Sequence, residues 1–568
     1  MKTMTRILTF LLALMLVVGL LAGCGSEQPG NNDPVDTPDA TENGEQPGGN
    51  EQPGGDDVTA DGPKYGGHLN VRTTGAPNGL DPLKQTGAFK YLYTACVYEN
   101  ALCRDAENNI APGVCDFELS EDLLDLKLWV REGKIFSNGD PVDIYDVEAS
   151  INRSLTLYGS CNKYVKPYIE SMTVENDGEK DILHIVFKSY SDKCMYYLAS
   201  YQTWAAILPK EICEEYVSTY IITDLEDAIG TGPYKFTDIE DSVYVTITKR
   251  DDYVPVEGDY TGPASTKYGY LDSMTFWYNT EDATTGMALM NGDYDLAEVL
   301  PEEYQEMALA NGFVCDSLPS NQSCTITLNT RSASSPMAKY PSLRKAVLAA
   351  IDYEDFLVTV TDGAQVMEGP DAGFVMNPKY ATDAFTSADY YGDSNLELAA
   401  EYLEAAAAEG YGGEPVVVVY NTARTDVPTL ITHYLGEAGI NYKLETMEQI
   451  TASAFVGDPS NNWDITFTWS TTTDRPSQLP DSVLESNYKD DYKDELRKKL
   501  DTLDPDSEEY MQVWQELAQY TADGAFFGFM SRIYWFWWHK DTLHINDAGA
   551  QRYMFNTYWD DPANHPAN

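Results

Sequence analysis

Between residues 117 and 155 the spacing of apolar positions changes period. Leu124, Leu126, Leu128 and Val130 alternate with Asp125, Lys127 and Trp129, a two-residue repeat that predicts a strand with one buried face, ending near Arg131. Ser137-Asn138-Gly139-Asp140 supplies a turn, and Asp143 offers a carboxylate to the first amides of a helix. In that helix Ile144, Val147, Ile151 and Leu155 share one face. Further on, residues 416–419 are continuously apolar, a helix-like stretch runs through Leu430 and Leu435, and Trp463-Asp464-Ile465-Thr466-Phe467 reads as another buried strand. Such alternation predicts an α/β architecture with a parallel sheet under covering helices. Ile533-Tyr534-Trp535-Phe536-Trp537-Trp538 is denser in aromatics than a strand core requires.

The amino end follows a different pattern. Residues 1–6 carry positive charge, residues 10–20 are apolar, and Leu21-Ala22-Gly23-Cys24 follows directly. The apolar core is too short for a stable span, so residues 1–23 read as a lipoprotein signal peptide. Cys24 is then the lipid-attachment site, which puts the chain on the outer face of a bacterial cytoplasmic membrane. Residues 24–63 repeat Glu-Gln-Pro-Gly and hold about ten carboxylates and no base. They read as a disordered tether, with a mean reach of about 30 to 40 Å.

Beyond the tether about 500 residues remain, enough for two or three packed lobes. A formal net charge of -54 excludes nucleic acid as a partner, because phosphates demand a basic surface. The six histidines, His68, His184, His433, His539, His544 and His565, show no spacing suited to a metal site, and no C-x-x-C pair occurs. Eight cysteines follow Cys24: Cys96, Cys103, Cys115, Cys161, Cys194, Cys213, Cys315 and Cys324. Both free thiols and disulfides fit an extracytoplasmic chain, and Cys315 with Cys324 is the expected local pair, since a strand reversal fits between them. No G-x-S-x-G, H-E-x-x-H or G-x-x-x-x-G-K motif is present. Ser160-x-x-Lys163 lacks partner motifs, and Asp293-x-Asp295 reads as a turn before a strand. Neither catalysis, nor a metal, nor a cofactor is expected.

Ordered motifs carry a specific likeness. Leu128-Trp129-Val130-Arg131-Glu132-Gly133-Lys134-Ile135-Phe136-Ser137-Asn138-Gly139-Asp140-Pro141-Val142, followed by Asp146-Val147, resembles the signature of the large solute-binding proteins of ABC importers in the peptide and nickel family. Gly66-Gly67-His68-Leu69-Asn70-Val71 with Leu80-Asp81-Pro82, then Gly230-Thr231-Gly232-Pro233-Tyr234-Lys235-Phe236, then Arg344-Lys345-Ala346-Val347 with Ala350-Ile351-Asp352, match further motifs in the family's order.

The resemblance implies a two-lobed periplasmic-binding-protein-like fold of type II with an extra subdomain and a hinge cleft. On that reading residues 64–103, 224–322 and 526–568 form the first lobe, 104–223 the family-specific subdomain and 323–525 the second lobe. It also implies an oligopeptide ligand delivered to an ABC permease with cytoplasmic ATPase subunits, and a monomeric protein. An oligosaccharide ligand and a peptide-sensing role are the alternatives. In peptide-binding relatives a Trp-x-x-Asp-Tyr-x-x-Pro segment supplies the carboxylate for the ligand's ammonium. The matching stretch here is Trp469-Ser470-Thr471-Thr472-Thr473-Asp474-Arg475-Pro476, with Thr472 at the aspartate position. Asp474, two residues on, is the candidate replacement and Trp469 a candidate cleft lining. Tyr420 and Asn421 fall near the expected hinge, with Arg424 close by. Asn329 and Trp535 complete the candidate ligand-binding set.

Overall fold

The alternating run becomes the strand Asp125–Val130, and its leucines at 126 and 128 are fully buried. It is the second strand of a four-stranded antiparallel sheet ordered Cys115–Leu119, Asp125–Val130, Asp181–Phe187, Ile169–Asn176. The helix Ile144–Leu157 begins where expected. Asp143 accepts from the amides of Tyr145 and Asp146 at 2.8 and 3.2 Å, while Asp146 accepts from the Asp143 amide at 2.9 Å. This reciprocal cap satisfies donors that the first turn leaves open. Ile144, Val147, Ile151 and Leu155 then pack into the core that holds Leu126, Leu128, Leu183 and Ile185, each contributing about 1.5 to 3 kcal/mol by burial.

In this computed structural model the residues described are 62–73, 79–83, 90–200, 205–217, 222–255, 257–278, 282–298, 300–360, 375, 377–422, 425–479, 490–546 and 553–566. The signal peptide, Cys24, the tether to residue 61 and Arg424 lie outside them. Ten strands make the main sheet: β1 (His68–Thr73), β2 (Tyr234–Glu240), β3 (Tyr244–Lys249), β4 (Ser273–Tyr278), β5 (Leu296–Glu298), β6 (Phe313–Leu328), β7 (Val416–Asn421), β8 (Tyr442–Met447), β9 (Ile465–Thr471) and β10 (Phe527–Lys540). Their order is β8-β7-β9-β6-β10-β5-β1-β4-β3-β2.

The strands from which a parallel sheet is expected, residues 416–421 and 465–471, do pair in parallel, within a sheet that is mixed as a whole. β7 runs parallel to β8 and β9, and β1 parallel to β4 and β5, but β6 is antiparallel to both β9 and β10. Apolar runs such as residues 416–419 signal burial on both faces, which either direction of pairing provides. Two cores flank the sheet. One gathers Leu69, Val71, Phe276, Leu296 and Trp537; the other gathers Ile326, Leu328, Val418, Ile431 and Ile465. β6 and β10 pair from Phe313↔Lys540 to Thr327↔Phe527, so these two long strands run from one core to the other. Their register shifts between Pro319 and Ser323, where the ladder is interrupted.

Cys315 and Cys324 both lie on β6, with no reversal between them. Nine residues of strand separate them by about 30 Å, far beyond disulfide reach. The pair expected from sequence does not form, and all eight cysteines from Cys96 to Cys324 are free thiols. Gly230 and Gly232 are fixed by close approach: a Cβ at Gly230 would lie 2.1 Å from the Val97 carbonyl oxygen, and one at Gly232 2.4 Å from that of Cys96. Asp295 does stand at a bend before β5, and there it accepts from the Asn70 amide of the neighbouring β1 at 2.8 Å. Among the described residues no His, Cys, Asp and Glu cluster could hold a metal ion, and no helix is long and apolar enough to cross a membrane.

Candidate functional site

After β9 the chain enters the segment 472–479, and this segment meets the helix Asp192–Leu198 of the layer built on the four-stranded sheet. Asp192 is 2% exposed and is held from three sides of the segment. It accepts from Arg475 Nη1 at 2.9 Å, Ser477 Oγ at 2.6 Å and Gln478 Nε2 at 3.2 Å. Beside it, Asp501 on the helix Asp491–Thr502 accepts from Ser191 Oγ at 2.7 Å, the Lys193 amide at 2.9 Å and Tyr168 Oη at 3.2 Å. Lys193 is buried and gives its ammonium to the Leu479 carbonyl at 2.9 Å. Two carboxylates on opposite sides of the seam therefore each take donors from the other side.

Behind Asp192 stands Arg104, 3% exposed, at the end of the strand Leu102–Arg104. Its Nη1 donates to the Asn108 carbonyl at 2.7 Å, and its guanidinium lies 5.6 Å from the Tyr196 ring centre. Burial pushes this guanidinium below its ordinary value, opposed by Asp192 and reinforced by Arg475, while Asp474 opposes it more weakly. Asn108 occupies the left-handed region at φ 65, which a short amide side chain tolerates better than most. Burial, then the charge of Asp192, pushes the Tyr190 hydroxyl up. It remains a donor, 3.4 Å from Asp192.

Several polar atoms gathered here find no protein hydrogen-bond partner: Arg104 Nε, Asn108 Oδ1 and Nδ2, Gln478 Oε1 and, at the start of the segment, Thr472 Oγ1. Thr472 and Gln478 are wholly buried. Each such atom costs about 1 to 3 kcal/mol when dry and unpaired, so their concentration at one seam marks a place built to receive hydrogen bonds from elsewhere. The charges there balance among themselves, two guanidinium groups against Asp192 and Asp474.

The residues singled out from sequence divide. Thr472 and Asp474 belong to the seam. Trp469 lies on β9 opposite Cys324, its side chain outside the described set. Tyr420 is buried in the second core against Phe467, ring centres 6.2 Å apart, and Asn421 ends β7 beside it. Asn329 is fully buried and engaged by the backbone, donating to the carbonyls of Trp463 and Pro459 and accepting from the Ser332 amide. Trp535 is half-buried against the first core. The sequence reading missed Arg104, Asn108, Asp192, Gln478 and Asp501. Arg475 lies inside the stretch from Trp469 to Pro476, and the others carry no local signal.

A mixed sheet spanning two cores, an appended antiparallel layer and a polar seam between layer and second lobe define a two-lobed solute-binding protein. Residues 109–491 match the model of the bacterial extracellular solute-binding proteins, family 5 (Middle), and the chain belongs to that family. It is 24% identical over 501 residues to the oligopeptide-binding protein AppA of Bacillus subtilis (strain 168), covering 80% of this chain and 84% of that one. Its fold matches the ABC transporter substrate-binding protein CtaP of Listeria monocytogenes with a TM-score of 0.69 at 19% identity, over 88% of this chain and 100% of the other. It also matches the periplasmic binding protein DppA of Helicobacter pylori in complex with peptide STSA, with a TM-score of 0.68 at 17% identity, over 88% and 99%.

Proposed function

We propose that this protein captures oligopeptides outside the cytoplasmic membrane and delivers them to an ABC permease driven by cytoplasmic ATPase subunits. The observation that carries the reading is the set of orphaned donors and acceptors around Arg104, Asn108, Thr472 and Gln478. An extended peptide presents N–H and C=O groups at every residue and answers both kinds. The names of the AppA and DppA relatives point the same way. Capture needs no chemistry: a ligand touching both sides of the seam favours the shut state by its differential binding energy. Cys24 as lipid attachment and residues 24–63 as tether would hold a monomeric body at the membrane surface, with residues 64–103, 224–322 and 526–568 as first lobe, 104–223 as subdomain and 323–525 as second lobe. Asp474 lines the ligand path beside Thr472.

Native mass spectrometry of protein purified from its own host without refolding tests this reading. A ladder of retained peptide masses is the expected result. Hexose-spaced masses, or no binding across a broad peptide library in calorimetry, overturn it.

A further inference from the structure

Away from the seam, a cavity of about 40 Å³ lies where the four-stranded layer joins the first lobe. Its walls carry Glu99, Arg131, Lys134, Tyr253, Lys267 and Phe555. That volume admits roughly three water-sized groups, too few for a peptide and enough for one small ion. The charges on its walls do not balance. Glu99 is the one carboxylate, its side chain 7% exposed, with Oε2 2.8 Å from the Lys134 ammonium and Oε1 3.9 Å from that of Lys267. Arg131 is paired at 3.3 Å with Asp116, which is not among the lining residues. Two ammonium groups, 4% and 15% exposed, thus share one buried carboxylate.

Lys267 faces the cavity. Its ammonium has three hydrogens, its nearest carboxylate oxygen at 3.9 Å is outside hydrogen-bond range, and the Phe555 ring lies 5.4 Å away. Tyr253 donates to Glu99 Oε1 at 3.3 Å, which further occupies the shared carboxylate. Burial pushes the Lys134 ammonium below its ordinary value even with Glu99 opposing, and Lys267 and Arg131 add smaller pushes the same way. An excess positive charge carried by side chains only 4% and 15% exposed is costly unless a counter-charge joins it.

We propose that a small inorganic anion binds in this cavity, held by Lys267 and Lys134 with Arg131 at its edge. The walls come from both structural layers: Arg131 and Lys134 follow the strand Asp125–Val130, whereas Tyr253, Lys267 and Phe555 come from the first lobe around β3, β4 and the strand Tyr553–Trp559. The ion therefore ties the four-stranded layer to the first lobe and is a structural ligand, separate from the transported solute.

Thermal unfolding of the purified protein tests this, with sodium chloride, bromide, sulfate or phosphate replacing gluconate at constant ionic strength. The expected result is a saturating rise in melting temperature of about 1 to 2 °C, which Lys267→Met abolishes. The ranking of the four salts separates a halide from an oxyanion. In wild-type crystals soaked in bromide, an anomalous peak within about 3.5 Å of Lys267 Nζ is expected, and this readout needs no variant to fold. A response linear in salt and equal for every anion, a wild-type response in Lys267→Met, or an empty cavity after bromide soaking overturns the proposal.

Discussion

Replacing Asp192 by alanine removes the acceptor on which the seam converges. The carboxylate is 2% exposed and takes hydrogens from Arg475, Ser477 and Gln478. Ser477 keeps a partner, since its hydroxyl also lies 2.8 Å from Tyr510 Oη. The buried Gln478 amide and the largely buried Arg475 guanidinium are left with donors to satisfy. Breaking a buried pair from one side costs about 3 to 5 kcal/mol. Arg475→Met should cost less, about 2 kcal/mol, because the guanidinium is 22% exposed and Asp192 retains Ser477, Gln478 and Tyr190 as donors. The double variant should show a coupling of about 2 kcal/mol. Native-state hydrogen exchange reads this locally, without requiring two-state unfolding of a large chain. The Lys193 amide donates to Asp501 across the same seam at 2.9 Å. Its exchange should accelerate about a hundredfold or more in Asp192→Ala, at about 1.4 kcal/mol per decade. Protection unchanged within about threefold, or a coupling below about 0.5 kcal/mol, refutes the view that Asp192 holds the seam shut.

Three further outcomes are expected. Thr472→Asp supplies a carboxylate where the buried hydroxyl has no partner; calorimetry should show affinity for a peptide with a free amino end rising about tenfold over its N-acetylated twin, and an unchanged ratio would separate Thr472 from the ligand. Glu99 ionises below its ordinary 4.5 because, although burial raises it, Lys134 and Lys267 together lower it further; the unfolded chain then takes up the proton first, so this contribution is intact above about pH 4.5 and is lost as pH falls through the folded value. Glu99→Gln should flatten that acid limb of thermal stability and cost about 3 kcal/mol at pH 7, whereas an acid limb identical to wild type would contradict it. Gly230→Ala drives a Cβ to 2.1 Å from the Val97 carbonyl and should lower the urea midpoint by an amount equivalent to about 3 kcal/mol; a loss below about 1 kcal/mol would show that the backbone gives way there.

Elements with a strong local pattern were legible. The strand Asp125–Val130 and the Asp143-capped helix follow from leucine spacing and one acidic residue, because each is stabilised by neighbours in sequence. The parallel pairing of β7 with β9 was legible from their alternation with helices, but the antiparallel course of β6 between β9 and β10 was not, since only partners distant in sequence decide it. The Cys315–Cys324 pairing failed for the same reason: nine residues allow a reversal or a continuous strand, and pairing with β10, more than two hundred residues away, selects the latter. At the seam, Thr472 and Asp474 were found through a motif. Arg104 and Asp192 became visible only once folding brought them within reach of residue 475.

The path of the chain through the main sheet also governs the order in which the protein can be assembled. β1 stands beside β5, and the neighbour of β5 on its other side is β10, which the chain reaches only after building the whole second lobe. The closing strand Tyr553–Trp559 returns to the start: Trp559 donates to the His68 carbonyl across 491 residues of sequence, and its indole stacks on His565 at 3.6 Å. A chain made from its amino end can complete the four-stranded layer early, because those strands are near neighbours in sequence. The sheet around β1 and β5 must wait with an open edge until β10 is made. Contacts so far apart in sequence make for slow folding, and an edge left unpaired meanwhile is a site for wrong pairing. The tryptophan near the carboxyl end is thus the late clasp of a lobe whose first strand was among the earliest parts synthesised.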